Sequence, residues 1–440
     1  MIQNRTGLWK ALFLTEIAAL YLVGWLLLGP TGKVLPNVSV IENTGNLFLG
    51  LGITQTVLCV VWWAVYHRLN YGIKYAVTHA RLLGRIRMAL LDAGAGFGIE
   101  AYSGEIKTLK LPTVRLKLSK DLSSGTVEIR NHIRYQNKLE NMNLSSALGR
   151  FRVEQSFLSD DENWFIFEIE DAKTDRQLKF DSSKELITYT RQFGDNMLVF
   201  DSKNRAPLSS LLLVGTTGSG KTYALYSLIL QALSWSIKPN LFFADPKNSS
   251  MVVLGNKINS AQSAGSVERI IELLEQFSGL LERRQEELKA KLGEKLDADY
   301  REWNLPAQIF ILDEYAAFAS VVQMMDKQTR DKVNAILRNI VLKGRQLGCF
   351  IWIVMQKSDA NDLPTAIRDN LPLKICLGMA TNTTLMTIFE HAADLPKRKF
   401  GLGQGLYTCQ GRTRQPQITS FPTLRFDILA SLDSDGVSSA

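Results

Sequence analysis

Cysteine and histidine are scarce in this chain of 440 residues, which contains four of each. No two cysteines form a C-x-x-C pair and the histidines are scattered, so a zinc site of ordinary ligand spacing and a disulfide framework are both excluded. No residue type dominates, which excludes collagen-like, coiled-coil and mucin-like chains. The hydrophobic fraction of 46% and the charged fraction of 21% are typical of globular proteins. The length predicts two or three domains, and the net charge of +8 is compatible with nucleic acid or anionic lipid.

Charge is almost absent from two N-terminal runs. Residues 11–29 contain only Glu16 and residues 47–66 contain no charged residue. Each run is about as long as the helix that crosses the hydrocarbon core of a bilayer. The first run lacks the small-residue cleavage site of a signal peptide. The two runs therefore predict a transmembrane hairpin, with a soluble helical hairpin as the alternative.

The basic residues beside these runs predict the orientation of the hairpin. Arg5 and Lys10 precede the first run, and the loop over residues 30–46 holds a single base, Lys33. Five bases follow the second run before any acid: Arg68, Lys74, Arg81, Arg85 and Arg87. Segments rich in basic residues beside a membrane span remain on the cytoplasmic side. We therefore expect a multi-pass protein of the cell membrane with both termini in the cytoplasm. Residues 1–92 then form the hairpin and a basic juxtamembrane helix that touches anionic lipid.

Alternating apolar and polar residues predict a small α+β module over residues 93–200. Two segments, 113–118 and 126–130, alternate on either side of a Ser-Ser-Gly turn and predict a β-hairpin. Residues 151–158 and 164–170 predict a second strand pair, and a short amphipathic helix is expected from about residue 135 to 148. The module carries no recognisable catalytic constellation. Its predicted role is that of an adaptor or oligomerisation collar.

A phosphate-binding loop follows the apolar strand at residues 211–214. The motif GxxxxGK[ST] is complete: Gly215, Thr216, Thr217, Gly218, Ser219, Gly220, Lys221 and Thr222. A strand before it and an apolar-periodic helix after it are the context that supports such a motif. Backbone N–H groups would surround the phosphates, Lys221 would reach the β- and γ-phosphates, and Thr222 would bind Mg²⁺. The predicted cofactors are ATP and Mg²⁺.

A second motif supplies the acids that such a loop needs. Four apolar residues, 309–312, run into Asp313 and Glu314. Asp313 is predicted to hold the metal ion and Glu314 to act as the general base on the attacking water. The apolar run 350–355 ends at Gln356, which is predicted to position that water or sense the γ-phosphate.

Three other polar segments have open interpretations. Asp245 and Lys247 follow the apolar strand at residues 241–244 and form either a loop ion pair or part of the site. The stretches 324–332 and 357–362 are candidate DNA-gripping loops or solvated surface.

The order of these motifs resembles the FtsK/SpoIIIE family of membrane-anchored DNA translocases over residues 205–425. The segments that carry the resemblance are GTTGSGKT at 215–222, DPK at 245–247, LERR at 281–284, ILDEYA at 311–316, KGRQLG at 343–348, IRDNLP at 367–372 and GQGLY at 403–407. The resemblance implies an α/β fold, with a RecA-like motor and a parallel sheet over residues 201–428. It also implies a homo-hexameric ring that binds DNA and an arginine supplied by the neighbouring subunit. Arg345 and Arg368 are the candidates, or else structural ion-pair partners, and Lys374 stands where the family usually has arginine.

The compact layout narrows the resemblance. Two spans, a short linker and an expected disordered tail over residues 429–440 are similar to the TcpA-like coupling proteins of Gram-positive conjugative elements. That resemblance implies a relaxase and a type IV secretion channel as partners. The alternatives are a chromosomal FtsK/SpoIIIE-type pump, a type VII protein-secretion ATPase, a classical type IV coupling protein and a scaffold that binds nucleotide without hydrolysing it.

Overall fold

The computed structural model describes residues 2–29, 38–99, 107–133, 135–140, 142, 144–291, 295–296, 298–356, 363–390 and 399–434. The chain divides into two compact units, Met1–Thr174 and Asp175–Ala440. The first unit contains β1 (Ile2–Asn4), α1 (Arg5–Leu28), α2 (Val38–Tyr66), a 3₁₀ turn (Leu69–Tyr71), α3 (Ile73–Asp92), β2 (Phe97–Ile99), β3 (Lys107–Lys110), β4 (Val114–Leu118), β5 (Ser124–Arg130), α4 (Gln136–Glu140), α5 (Ser145–Leu148), β6 (Phe151–Leu158) and β7 (Trp164–Asp171).

The second unit contains β8 (Lys179–Phe180), α6 (Ser183–Arg191), β9 (Met197–Val199), β10 (Arg205–Pro207), β11 (Leu211–Gly215), α7 (Lys221–Leu233), β12 (Asn240–Ala244), α8 (Ser250–Asn259), a 3₁₀ turn (Ser260–Gln262), β13 (Ser263–Ala264), α9 (Val267–Lys291), β14 (Gln308–Leu312), α10 (Tyr315–Met324), α11 (Lys327–Leu347), β15 (Cys349–Met355), α12 (Thr365–Arg368), β16 (Leu373–Leu377), α13 (Asn382–Phe389), β17 (Gln404–Cys409), β18 (Gln417–Ser420), β19 (Thr423–Leu424) and α14 (Ile428–Ser434).

Helices α1 and α2 pack against each other through small residues. A Cβ at Gly24 would lie 2.7 Å from the Leu49 side chain, so glycine allows close approach of the two helices here. The Tyr21 hydroxyl lies 3.2 Å from the Thr56 hydroxyl, which joins the helices further along. The predicted loop over residues 30–46 is shorter than expected, because α2 begins at Val38 and continues through polar residues that a hydropathy run leaves out.

Within the described residues, one helix is long and apolar enough to cross a membrane, Ser39–Tyr66, with a mean hydropathy of 1.8. The apolar segment Phe13–Leu28 within α1 is shorter than such a span. The described residues therefore contain one candidate membrane-spanning helix, and they do not support the predicted multi-pass topology.

The adaptor sheet of the first unit has the strand order β4-β5-β7-β6, with every neighbouring pair antiparallel. Val114, Leu116 and Leu118 are buried and alternate with exposed Arg115 and Lys117, so period-two patterning correctly predicted this hairpin. Helix α3 contributes its apolar face to the same core. The single helix expected from about residue 135 to 148 is instead two short helices, α4 and α5.

The second unit is built on an eight-stranded sheet of order β13-β12-β14-β15-β11-β16-β17-β18. The first six of these strands are parallel, and the last two pair antiparallel. Helices α9, α10 and α11 cover one face of the sheet, and α7 and α8 cover the other. Because both faces are buried, the central strands are continuous apolar runs. This is the RecA-like P-loop architecture that the family resemblance implies.

Parallel pairing brings the carboxyl ends of five strands to one edge of this sheet. Strand β11 lies between β15 and β16, and β14 is separated from it by β15 alone. Ligands of open α/β sheets bind beyond the carboxyl ends of the strands. The loops after β11, β12, β14, β15 and β16 are therefore the place to look for a site.

Three other expectations differ from the structure. Most of the stretch 324–332 is helical rather than a loop, because Asp326 caps α11 by accepting a hydrogen bond from the Thr329 backbone N–H (3.0 Å). Disorder was expected from residue 429, but α14 extends to Ser434 and buries Leu432, while residues 435–440 lie outside the described residues. The stretch 357–362 also lies outside them. The unit boundary at 174/175 leaves β8, α6 and β9 with the P-loop unit rather than with the adaptor.

Candidate active site

The phosphate loop connects β11 to α7 at the carboxyl edge of the sheet. Residues 216–218 are exposed, whereas Ser219 and Lys221 are buried at the start of α7. The first N–H groups of a helix have no partner within the helix, and its N-terminus carries a partial positive charge. The loop therefore offers hydrogen-bond donors and a partial positive charge to an anion.

Gly220 is required by the local geometry. Its φ of +92° is a conformation that side-chain-bearing residues rarely adopt, and a Cβ there would lie 2.7 Å from the Gly403 backbone nitrogen. Gly403 donates its N–H to the Ser219 carbonyl (2.8 Å), so the loop before β17 holds the phosphate loop in place. This contact could not be predicted from the sequence, although the glycine-rich segment at residues 403–407 is typical of a place where two backbone segments approach closely.

Two buried polar atoms in the loop have no hydrogen-bond partner among the described residues: Lys221 Nζ and Ser219 Oγ. The Lys221 ammonium lies 3.7 Å from Glu314 Oε1, beyond hydrogen-bonding distance. Leaving a buried ammonium without hydrogen bonds is costly. An anion with several oxygens, such as a nucleotide phosphate, would satisfy both atoms, so these residues fit the predicted ligand.

Asp313 follows β14 and is almost completely buried. Burial raises the pKa of its carboxyl to about 6; Lys221 and the Glu314 N–H oppose this shift, whereas the nearby carboxylates of Asp245 and Glu314 add to it. Asp313 Oδ1 accepts the Glu314 backbone N–H at 2.9 Å. A carboxyl group whose pKa is raised in this way has an ionised form that a bound cation would stabilise. Asp313 therefore fits its predicted role as a Mg²⁺ ligand, together with the Thr222 hydroxyl.

Glu314 adopts a left-handed backbone conformation, with φ of 50° and ψ of 44°. Such strain in a residue other than glycine is typical of functional positions. Its carboxylate accepts a hydrogen bond from Gln356 Nε2 (2.9 Å) and pairs with Lys247 Nζ (3.0 Å). Burial favours a higher pKa for Glu314, but these two contacts and the charge of Lys221 outweigh it and lower the pKa below its usual value. Glu314 is therefore ionised and oriented, as a base must be.

Asp245 and Lys247 have separate roles in the structure. The fully buried Asp245 carboxylate accepts the backbone N–H groups of Lys247 and Ser249, each at 2.9 Å, and the Ser249 hydroxyl. It thereby shapes the loop after β12. That loop directs the Lys247 ammonium onto Glu314. Of the two interpretations left open by the sequence, Lys247 therefore lies in the site, where its ion pair joins the ends of β12 and β14.

We expect Lys247→Gln to shift the acidic limb of the ATPase pH profile to higher pH. Removing the ammonium removes a contact that lowers the pKa of Glu314, so the base becomes protonated at a higher pH. The measurement is kcat/KM across pH 5 to 9, with Lys238→Gln, an exposed lysine of the same unit, as the matched control. An unchanged acidic limb would contradict control of this base by Lys247.

The two candidate arginines lie at the opposite edge of the sheet. Arg345 precedes the start of β15 and is exposed, and Arg368 precedes β16 and is buried, with its Nε 3.3 Å from the Asp369 carboxylate. Lys374 is buried in β16 and pairs with Glu390 at 3.0 Å. Within one copy of the chain, therefore, the structure brings together Lys221, Lys247, Asp313, Glu314 and Gln356, but neither arginine.

Comparison with known proteins supports the assignment of this sheet edge as an ATPase site. The FtsK/SpoIIIE family model matches residues 168–359, which include the phosphate loop, the Asp313-Glu314 pair and Gln356. The FtsK domain-containing protein YdcQ of Bacillus subtilis is 25% identical over 287 residues, which is 62% of this chain and 58% of YdcQ. DNA translocase FtsK of Staphylococcus aureus is 26% identical over 226 residues, 47% of this chain and 27% of that protein. The chain thus spans about half the length of the first of these relatives and a quarter of the second.

Among solved structures, the pCW3 conjugation coupling protein TcpA in its monomer form with ATPγS matches with a TM-score of 0.48 and 18% identity, covering 79% of this chain and 95% of that one. The cytoplasmic domain of the Thermomonospora curvata type VII secretion ATPase EccC matches with a TM-score of 0.39 and 18% identity, covering 50% of this chain and 27% of that one. The family match over residues 168–359 and the geometry of the site agree: these residues resemble a P-loop ATPase domain of the FtsK/SpoIIIE type.

Proposed function

We propose that this chain is an ATP-driven, membrane-anchored DNA translocase that works as a homo-hexamer. The observation that carries the proposal is the complete hydrolytic set at one sheet edge, within the residues that match the FtsK/SpoIIIE model: a phosphate loop whose buried Lys221 ammonium has no hydrogen-bond partner, buried Asp313, and Glu314 oriented by Gln356 and Lys247. A nucleotide-binding scaffold would not need an oriented, ionised base. DNA enters as the substrate class named for the FtsK relatives.

Each residue of the set has a distinct task in the proposed hydrolysis. Lys221 and the loop N–H groups bind and neutralise the phosphates. Thr222 and Asp313 would hold Mg²⁺, which supplies charge neutralisation at the phosphates when bound. Glu314 accepts the proton of the attacking water, and Gln356 holds the Glu314 carboxylate in the orientation that this transfer requires. Lys247 keeps the base ionised before nucleotide arrives.

The hexamer is supported by what one copy of the site contains. Lys221 and Lys247 are the cationic side chains that the described residues bring to Glu314, and phosphoryl transfer in such motors commonly uses an arginine from a neighbouring subunit. Of the two candidates, Arg345 is exposed and able to meet another copy, whereas Arg368 is buried beside Asp369. We therefore assign the trans-acting role to Arg345.

The finer role we propose is delivery of DNA to a conjugative type IV secretion channel from a relaxase complex. It is supported by the compact layout: α3, the adaptor and the elements β8 to β10 occupy most of the interval between α2, which ends at Tyr66, and the motor strand β11, which begins at Leu211, so little of it is left for a linker. We also propose that α1 is the second span of a hairpin with both termini in the cytoplasm. The packing of Gly24 against Leu49 and the charge distribution around the helices support that topology.

The test is the ATPase rate of the full chain with no nucleic acid, with single strands and with duplex, using Lys221→Ala as the blank. We expect DNA to stimulate turnover, and we expect the stimulation to fall steeply with salt because the contacts are mainly to phosphates. The preferred strand type identifies the cargo. Turnover that is indifferent to both nucleic acids would contradict the DNA proposal and favour a protein-secretion ATPase.

A further inference from the structure

Helix α3 has two different faces, and only one of them is used by the fold. The inner face is buried in the adaptor core, where the Tyr75 hydroxyl donates to the Leu118 carbonyl (3.1 Å) and His79 Nε2 lies 3.1 Å from the Leu116 carbonyl. The outer stripe contains Ile73, 74% exposed, and Met88, 57% exposed. These two large apolar side chains lie near opposite ends of α3, away from the buried face, and contact with the apolar part of a bilayer interface would cover both.

Basic residues accompany the apolar ones on this outer stripe. Lys74 and Arg81 are exposed, and at 100° per residue they lie on the same side of α3 as Val77 and Met88. Five bases and no acid occur from residue 67 to residue 91. A stripe that combines exposed apolar side chains with basic residues and no acidic ones is typical of a helix that lies in the headgroup region of a bilayer.

The contacts of α3 with the end of α2 place this stripe at the depth of the lipid headgroups, if α2 crosses the membrane. His79 Nδ1 lies 2.8 Å from His67 Nδ1, and Arg87 donates to the Tyr66 hydroxyl at 3.4 Å. Tyr66 is the last residue of α2, the helix that is long and apolar enough to cross a membrane. Since residues 79 and 87 of α3 both reach the same end of α2, α3 runs across that end instead of continuing its axis.

We propose that the outer stripe of α3 is a binding surface for anionic phospholipid headgroups, with Lys74 and Arg81 contacting the headgroup phosphates and Ile73, Val77 and Met88 entering the interface. The proposal goes beyond the motor function and rests on α2 lying in the membrane. It commits to lipid rather than DNA because the stripe mixes bases with exposed apolar side chains and adjoins the end of a span. DNA backbones offer no apolar phase for Ile73 and Met88.

The test uses the full chain in lipid nanodiscs, with an environment-sensitive fluorophore on Met88→Cys. Cys349, Cys376 and Cys409 are buried, and the parent chain serves as the labelling blank for Cys59. Brominated phosphatidylglycerol and brominated phosphatidylcholine are compared as quenchers, which gives a relative affinity constant for the anionic lipid. We expect the relative affinity constant to be several times greater than 1 and to fall towards 1 in high salt.

The deciding variant is Lys74→Gln with Arg81→Gln, which we expect to bring the relative affinity to about one while basal ATPase turnover stays unchanged. The matched control is Lys110→Gln with Arg152→Gln, which removes the same charge from exposed positions of the same unit and should retain the preference. Equal quenching by both lipids in the parent overturns the lipid proposal without affecting the motor. Quenching by neither lipid also overturns the proposal, because it would show that α3 does not lie at the membrane surface. A label response to duplex DNA in neutral bilayers, without lipid preference, would reassign the stripe to DNA.

Discussion

Replacing Glu314 with glutamine is expected to lower kcat for ATP hydrolysis by about 10²–10⁴-fold, the usual contribution of a positioned general base. The amide keeps the size and the contact with Gln356, but it cannot take a proton from water. Nucleotide binding should be retained or slightly tighter, because the carboxylate 3.7 Å from the Lys221 ammonium no longer competes with phosphate. Phosphate release measures the first effect, and titration with a fluorescent nucleotide measures the second.

The matched control for this variant is Glu286→Gln, an exposed glutamate on α9 that loses the same charge away from the site. Its turnover and affinity should equal those of the parent. If Glu314→Gln kept turnover within tenfold of the parent, another group would have to be the base. If it lost nucleotide binding as well, Glu314 would be holding the phosphate loop in shape rather than acting on water.

Replacing Asp313 with asparagine is expected to stabilise the nucleotide-free protein while reducing turnover by at least 10²-fold. Burial raises the pKa of Asp313 from 3.8 to about 6, so at pH 7.5 its ionised form costs the folded state about 2–3 kcal/mol relative to the unfolded chain. Asparagine removes that cost and can still accept the Glu314 N–H. It removes the carboxylate predicted to hold the metal ion, which is why turnover falls.

The pH dependence of this stabilisation has a definite sign. As the pH falls from 7 through 6 towards 4, the folded parent binds a proton before the unfolded chain does, so the parent gains stability, and the advantage of asparagine shrinks until it is lost below pH 3.8. We expect Asp313→Asn to raise Tm by roughly 5 °C or more at pH 7.5 in the presence of chelator, and by about a third as much at pH 4.5. Asp331→Asn, on the exposed surface of α11, is the control. A lower Tm at pH 7.5 would contradict an electrostatic cost at Asp313.

Features encoded by contiguous residues could be predicted from the sequence. The strand, loop and helix around residues 211–233 and the strand that ends at Asp313 each follow from a local pattern that physical chemistry restricts. The adaptor strands followed from alternation for the same reason. Glu314 and Gln356 were predicted to lie at one sheet edge, because parallel strands bring their carboxyl ends together.

Features that depend on pairing between distant segments could not be predicted. The contact of Lys247 with Glu314 requires β12 to lie beside β14 in a register that no local pattern encodes. The bond from Gly403 to Ser219 likewise requires the antiparallel extension of the sheet after β16. Helix ends were misjudged where hydropathy was the guide: α2 starts nine residues before its apolar run, and α14 forms in a polar tail because Leu432 is buried.

The most direct test of the motor is displacement of a triplex-forming strand from duplex DNA by the full chain reconstituted in a bilayer. The account predicts ATP-dependent displacement by the parent, and none by Glu314→Gln or Arg345→Ala, even though both variants still bind nucleotide. Displacement that needs no hydrolysis, or ATP turnover by the parent on duplex DNA without any displacement, would contradict a motor that translocates along duplex DNA.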